Sequence, residues 1–242
     1  MSLVRKVGPL KKDKHTLTLG QTAYMVFSLL LFPGLILGLS GDWLWPEAWV
    51  FTLWFLALAA FVIAYLLRKD PALLQERLRK PGTGGQESWD KAWLPLMLLL
   101  WWAWLILPPL DVKRFHWFAP FPPWVEWLGG LALLPSAYFS CRSYFDNSFV
   151  SPLVRIQKER RQKVVTTGVY GWIRHPLYLG AIFMLVGTPL LLNSRAGLVL
   201  GAWMSLLVAL RILGEEKTLL KGLKGYAAYR KKVKYRLLPG IW

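Results

Sequence analysis

Residues 45–67 read WPEAWVFTLWFLALAAFVIAYLL, with Glu47 the one charged side chain in the run. A helix needs roughly 20 mostly apolar residues to cross a hydrocarbon core of about 30 Å, and this stretch meets that length. It is bounded by Ser40-Gly41-Asp42 before it and by Arg68-Lys69-Asp70-Pro71 after it. Working outward, five more apolar runs are found at about 17–39, 92–107, 125–145, 177–192 and 196–213. The third span in chain order, 92–107, is expected to stop at Pro108-Pro109, because proline lacks an N–H and its ring obstructs the preceding turn. The last two are joined only by Asn193-Ser194-Arg195, which predicts a tight antiparallel hairpin. The first 16 residues are polar and basic, and the run that follows is long and lacks a small-residue cleavage signal, so it reads as a retained span.

The composition agrees. The chain has 242 residues, 30 Lys and Arg against 13 Asp and Glu, and a formal net charge of +17, yet it is 55% hydrophobic with 15 Trp and 12 Phe. Its mean hydropathy is +0.37. A disordered basic tail would be poor in apolar residues, and a soluble basic domain would not carry such runs. Charge and apolar bulk are therefore segregated along the chain. All but Lys113, Arg114 and Arg195 of the basic residues fall in the N-terminal arm, the 68–91 and 142–175 loops, or the segment from 211 onward. Since Lys and Arg accumulate on the cytoplasmic side, this predicts an all-α polytopic membrane protein of about six spans, N-in and C-in. Trp43, Trp45, Trp49, Trp89, Trp93, Trp117, Trp124 and Trp127 cluster near the proposed span ends, where indoles prefer to lie. Most of the charge is read as topology plus attraction to anionic headgroups, and no nucleic-acid module is seen. One Cys and three scattered His suggest neither a disulfide nor a metal cluster.

Two cytoplasmic segments are more than connectors: 146–176 and 211–242 flank the hairpin of the last two spans. The chain is accordingly divided into a membrane region, 1–145, and a core, 146–242. In the first segment Gly168 and Gly171 suit turns or close ligand approach. Pro176 fits a first helical turn and leaves His175 near an N-cap at the membrane surface. That His either caps the helix or hydrogen-bonds a ligand. In the second segment Arg211 and Glu215 are i,i+4 neighbours, so they form a local ion pair or face a pocket as binders of an anionic acceptor group and an amino-bearing cofactor. Leu219, Leu220, Leu223, Tyr226 and Ala227 alternate with lysines at helical spacing, predicting an amphipathic helix over 215–234, with Tyr226 and Tyr229 as packing residues.

Thr167-Gly168-Val169-Tyr170, then Arg174-His175-Pro176-Leu177-Tyr178-Leu179-Gly180, an apolar hairpin, Arg211-x-x-x-Glu215-Glu216 and Tyr226-x-x-Tyr229 ahead of Leu238-Pro239-Gly240 follow one another in order. This succession resembles the isoprenylcysteine carboxyl methyltransferase family and the related phospholipid methyltransferases. The resemblance covers about 145–242. The N-terminal half resembles bacterial members more loosely, through Trp45-Pro46-Glu47-Ala48-Trp49 and Asp70-Pro71-x-Leu73-Leu74-x-Glu76-Arg77.

The resemblance implies a membrane-embedded methyltransferase that uses S-adenosylmethionine (SAM), releases S-adenosylhomocysteine, and needs no metal. By motif position the cofactor contacts are Gln157, Gln162, Lys163, Val164, Val165, Tyr170, His175, Pro176, Leu177, Tyr178 and Glu215. Arg211 matches the substrate-contacting arginine. Arg174, beside the His-Pro turn, is a second basic contact for the acceptor, and Glu216 is the first proton acceptor to consider if the acceptor is an amine. The expected acceptor is lipophilic and isoprenylcysteine-like, reached from the bilayer, with the site facing the cytoplasm and, in a prokaryote, the inner membrane as location. A phospholipid N-methyltransferase, a sterol-type reductase and a non-enzymatic scaffold are the competing readings.

Overall fold

The computed structural model describes residues 17–242, so the basic residues of the N-terminal arm lie outside it. Helix α1 (Leu19–Ser40) starts at a reciprocal cap between Thr18 and Gln21 and ends at Gly41, whose φ of 68° is left-handed. Helix α2 (Pro46–Lys69) opens with Pro46 and Glu47 and closes with Arg68 and Lys69, each charge matching the helix dipole. Asp70 caps the short α3 (Pro71–Arg77). Next come α4 (Ser88–Pro109) and α5 (Pro123–Asp146), then the hairpin of α6 (Pro176–Leu191) and α7 (Arg195–Gly222), and finally α8 (Tyr226–Lys232). No strand occurs among the described residues; Ile173 and Tyr235 make an isolated parallel bridge.

Two sequence expectations change. Pro108-Pro109 does not end the third span: the chain continues through a π-helical stretch, Leu110–Phe115. The wider π turn accommodates residues that cannot donate, and it brings Asp111 to α7, where it accepts from Ser194 Oγ at 2.7 Å and the Ala196 N–H at 3.0 Å. The amphipathic helix expected over 215–234 is two pieces. Residues up to Gly222 prolong α7, and the left-handed Gly225 (φ 88°) redirects the chain into α8, which buries Tyr226 and Tyr229 and exposes its basic residues.

The expectation of about six spans is met in part. Among the described residues, four helices are long and apolar enough to cross a membrane: α1, α2, α4 with its π extension, and α7. α6 is shorter, its 16 residues rising about 24 Å. α5 has the length but carries Gly129, Gly130, Ser136, Ser140 and Ser143 where other spans carry Leu. Those small residues let α5 and α6 approach closely: a Cβ at Gly129 would meet the Gly187 carbonyl at 2.7 Å, and one at Gly180 the Ser136 carbonyl at 3.0 Å. Apolar bulk is exchanged here for close approach of two backbones.

One core joins α1, α2, α4, α6 and α7. Phe32 stacks on Phe55 at 4.1 Å, Trp101 on Trp104 at 5.2 Å, and Trp104 Nε1 donates to the Leu185 carbonyl. At one end of the bundle Lys113 pairs with Asp42 at 2.8 Å, Arg114 donates to the Leu39 carbonyl, and Arg195 lies over the Phe121 ring. The three basic residues set apart by the sequence thus gather at one end. At the other end a strap of residues 151–157 crosses the helix ends. It is clamped by Glu76, which accepts from Ser151, Arg79 and twice from Arg155, at 2.8 to 3.0 Å. Arg155 also holds the Gly84 carbonyl and Glu159.

Two predictions follow from this packing. Gly129→Val should lower stability by about 1–3 kcal/mol through overpacking, read as a lowered Tm in detergent. Gly130→Ala, where a Cβ finds only ordinary contact with Leu191, should not lower it. At the clamp, burial alone would raise the Glu76 carboxyl, but the bonds from Arg155, Ser151 and Arg79 outweigh it and hold it below the ordinary 4.5. A lowered folded-state pKa contributes stability above the unfolded value that is lost as pH falls through the folded one. Glu76→Gln, which leaves Arg155 buried without its main counter-charge, should therefore cost about 3–5 kcal/mol at pH 7. The gap to the natural protein should narrow below pH 4.5; an equal gap at both pH values would contradict the ionic account.

Candidate functional site

The strap, the hairpin and α8 enclose a cavity of about 470 Å³, within the usual size of small-molecule sites. Its wall changes character along α7. Glu215 and Arg211 border its polar part, and Val208 and Met204 follow at helical spacing along the apolar part, with Leu94, Met97, Leu98 and Trp101 from one face of α4 and Met184 and Leu185 from α6. From Glu215 to Met204 the rise is about 16 Å. The cavity therefore joins a charged pocket at the helix ends to an apolar trough inside the bundle.

Of the residues singled out in the sequence, Gln157, Gln162, Lys163, Val164, Val165, Tyr170, Arg174, His175, Leu177, Tyr178, Arg211 and Glu215 all border this cavity; Pro176 and Glu216 do not. His175 is the N-cap of α6 with Pro176 in the first turn, yet its side chain makes no capping bond. Its Nε2 lies 3.4 Å from Glu216 instead. Glu216 is 3% exposed and already shared: Arg174 Nε donates to it at 2.6 Å and Arg236 Nε at 3.0 Å. Arg174 also donates to the Val233 and Lys234 carbonyls. This cluster pins the C-terminal segment beneath the Arg-His-Pro turn.

Glu215 accepts from the Tyr178 hydroxyl at 2.7 Å. Arg211, its i,i+4 neighbour, pairs elsewhere: Nη2 lies 2.9 Å from Asp90 and donates to the Pro152 carbonyl at 2.6 Å. The local Arg211–Glu215 ion pair weighed from the sequence is not formed among the described contacts. Gln157 is 1% exposed and turns inward, donating to the Phe149 carbonyl and accepting from Arg160, while Gln162 accepts from the Gln157 N–H. These two side chains shape the loop that carries Lys163, Val164 and Val165. Gly168 has φ 60° and is closely approached, but by the Asp146 carboxylate, which accepts from the Val169 N–H.

Several bordering residues escaped the sequence reading. Tyr226 and Tyr229, read as packing, line the cavity. The Tyr229 hydroxyl donates to the Tyr170 carbonyl at 2.8 Å. Burial pushes both phenols well up, so they serve as neutral hydrogen-bonding groups. Asp90 and the strap were also missed. A lone acid at the start of an apolar run carries the same cost as Arg211 at the end of one, and that was the available signal. Two buried polar atoms on cavity-lining residues, the Tyr226 hydroxyl and Arg211 Nε, have no hydrogen-bond partner among the described residues. Unsatisfied groups of this kind are rare in native structures and fit a ligand site.

Residues 132–221 match the model of the isoprenylcysteine carboxyl methyltransferase (ICMT) family. The chain is 39% identical to the protein-S-isoprenylcysteine O-methyltransferase of Saccharomyces cerevisiae over 34% of its own length and 36% of that protein. It is 31% identical to the Xenopus laevis enzyme of the same name over 51% of its length and 41% of that protein. The chain thus spans well under half the length of the curated relatives it matches. A solved structure of the eukaryotic intramembrane Ras methyltransferase ICMT superposes with a TM-score of 0.59 at 20% identity, covering 90% of this chain and 76% of that one. That likeness shows a shared membrane fold. Family model, curated relatives and fold agree with the motif succession around the hairpin, and over residues 132–221 the chain is similar to the isoprenylcysteine carboxyl methyltransferase family.

Proposed function

We propose that the chain is a SAM-dependent methyltransferase of the membrane, methylating the carboxylate of a lipophilic, isoprenylcysteine-like acceptor. The observation that carries this reading is the two-part cavity, in which a buried guanidinium with an unpartnered Nε stands between a polar pocket and an apolar trough. When bound, SAM supplies an electrophilic methyl: an acceptor oxygen forms the C–O bond as the S–CH₃ bond breaks and its electron pair returns to sulfur, with no proton transferred. The residues present fit such a group. Glu215 offers a carboxylate to an amino or sulfonium group, Tyr226 a free hydroxyl, and the 162–165 loop a flank.

In this reading Arg211 orients the acceptor's carboxylate for in-line attack, and positioning carries most of the rate because the nucleophile is already ionised. Met97, Met184 and Met204 give the trough an adaptable lining for a lipid chain. Arg174 and Glu216 act through the C-terminal segment they anchor. An amine acceptor would have to release a proton, and Glu216, already shared by Arg174, Arg236 and His175 and standing outside the cavity wall, is poorly placed to take it; this favours a carboxylate. We place the polar mouth at the cytoplasmic face of a six-span, N-in, C-in protein, in the inner membrane if the source is prokaryotic. The gathering of Lys113, Arg114 and Arg195 at the far end supports that orientation. In the division at 145/146, the second part supplies the cofactor cup and α4 of the first part supplies a wall of the trough.

The test is binding and turnover on detergent-purified protein. S-adenosylhomocysteine should bind saturably, and a prenylcysteine analogue should be methylated in preference to phosphatidylethanolamine. Arg211→Ala should leave SAM affinity within about twofold while lowering turnover by about 100-fold or more. Loss of SAM binding with acceptor binding intact would refute the role given to Arg211.

A further inference from the structure

Asp90 belongs to neither the motif succession nor the family-matched residues, and it is fully buried. It lies in the first turn of α4. Its Oδ2 accepts from Gln86 Nε2 at 2.7 Å and from the Val154 N–H at 2.9 Å. Its Oδ1 faces Arg211 Nη2 at 2.9 Å and has no hydrogen-bond partner of good geometry among the described residues. The same Nη2 donates to the Pro152 carbonyl, two residues from the Val154 that Asp90 holds. Asp90 thus fixes both the guanidinium and the strap on which it leans. It also cancels the charge of Arg211, because the two form a close pair inside a low-dielectric wall.

That cancellation bears on methyl transfer to a carboxylate. The nucleophile starts with a full negative charge and loses it as the ester forms. An unopposed buried cation would bind the starting carboxylate more strongly than the transition state, and so would raise affinity while slowing the chemical step. A paired guanidinium keeps its directional donor but presents little net charge. We infer that Asp90 is a positioning residue that acts through Arg211, setting a near-neutral pair against which an acceptor's carboxylate is oriented without being trapped.

The inference rests on the assignment of Arg211 to the acceptor, and the experiment separates the two. Binding of an N-acetylated S-prenyl cysteine and of its carboxamide is measured on the full-length natural protein, Asp90→Asn, Arg211→Gln and the double variant, with kcat and KM for the carboxylate. The natural protein should prefer carboxylate over carboxamide by about tenfold or less, as expected of a hydrogen bond to a paired charge. Asp90→Asn should raise that preference about tenfold, lowering KM and kcat together. Arg211→Gln should abolish the preference with or without Asp90. An unchanged or reduced preference in Asp90→Asn would overturn the inference. Should that variant fail to accumulate, a preference above about tenfold in the natural protein would overturn it, since a near-neutral pair delivers no more than a hydrogen bond, and a preference of tenfold or less would uphold it. A preference that survives in Arg211→Gln would instead refute the assignment of Arg211.

Discussion

A guanidinium sealed between helices at the edge of a hydrocarbon layer must be matched by an anion or it destabilises the structure by several kcal/mol. Arg211 is 8% exposed, and the arrangement around it is organised by this requirement. Asp90 supplies the charge, Pro152 supplies a carbonyl, and both are held by the strap through Val154 and Arg155. Arg155 is in turn a buried cation that needs Glu76. Arg174 needs Glu216, which also draws in Arg236 and with it the C-terminal segment. With 30 basic residues and 13 acids in the chain, acids are scarce. Four of them, Glu76, Asp90, Asp111 and Glu216, are buried where each joins elements distant in sequence.

What could be read beforehand divides along physical lines. Apolar length is a local property, so the helices were legible, and so was the hairpin, whose connection has room for nothing else. The motif around Arg174-His175-Pro176 and the Arg211 to Glu216 helix located the cavity, because helical spacing already puts Arg211 and Glu215 on one face. Partner choice was not legible. Arg211 and Glu215 satisfy the i,i+4 rule, yet Arg211 reaches Asp90, more than a hundred residues earlier, and Glu215 takes the Tyr178 hydroxyl. Only the fold decides between a weak local pair and a buried distant one.

The errors have the same origin. Pro108-Pro109 reads as a stop when the chain is considered alone. In the bundle, the π turn after it is held from outside, because Asp111 accepts from Ser194 and the Ala196 N–H at the start of α7. Residues 215–234 carry a continuous helical pattern, but Gly225 in the left-handed region splits it, and the resulting turn brings Tyr226 and Tyr229 under the Tyr170 turn. A tyrosine at helical spacing is ordinarily packing, and here the turn makes it wall.

The division of labour between the two halves bears on specificity. Residues 132–221 contain the hairpin, the His-Pro turn, Arg211 and Glu215, and these carry the family match. Glu76 and Asp90, which hold the strap and balance Arg211, and the α4 face from Leu94 to Trp101, which walls the trough, all precede residue 132. The trough is therefore walled from both stretches: the α4 face precedes residue 132, while Met184, Leu185, Met204 and Val208 lie within 132–221. Substitution in α4 reshapes one wall of the trough while Glu215, Tyr178 and the 162–165 loop, which stand on other elements, keep their places. In the reading proposed above, α4 is therefore a wall whose substitution changes acceptor choice while the polar pocket keeps its residues.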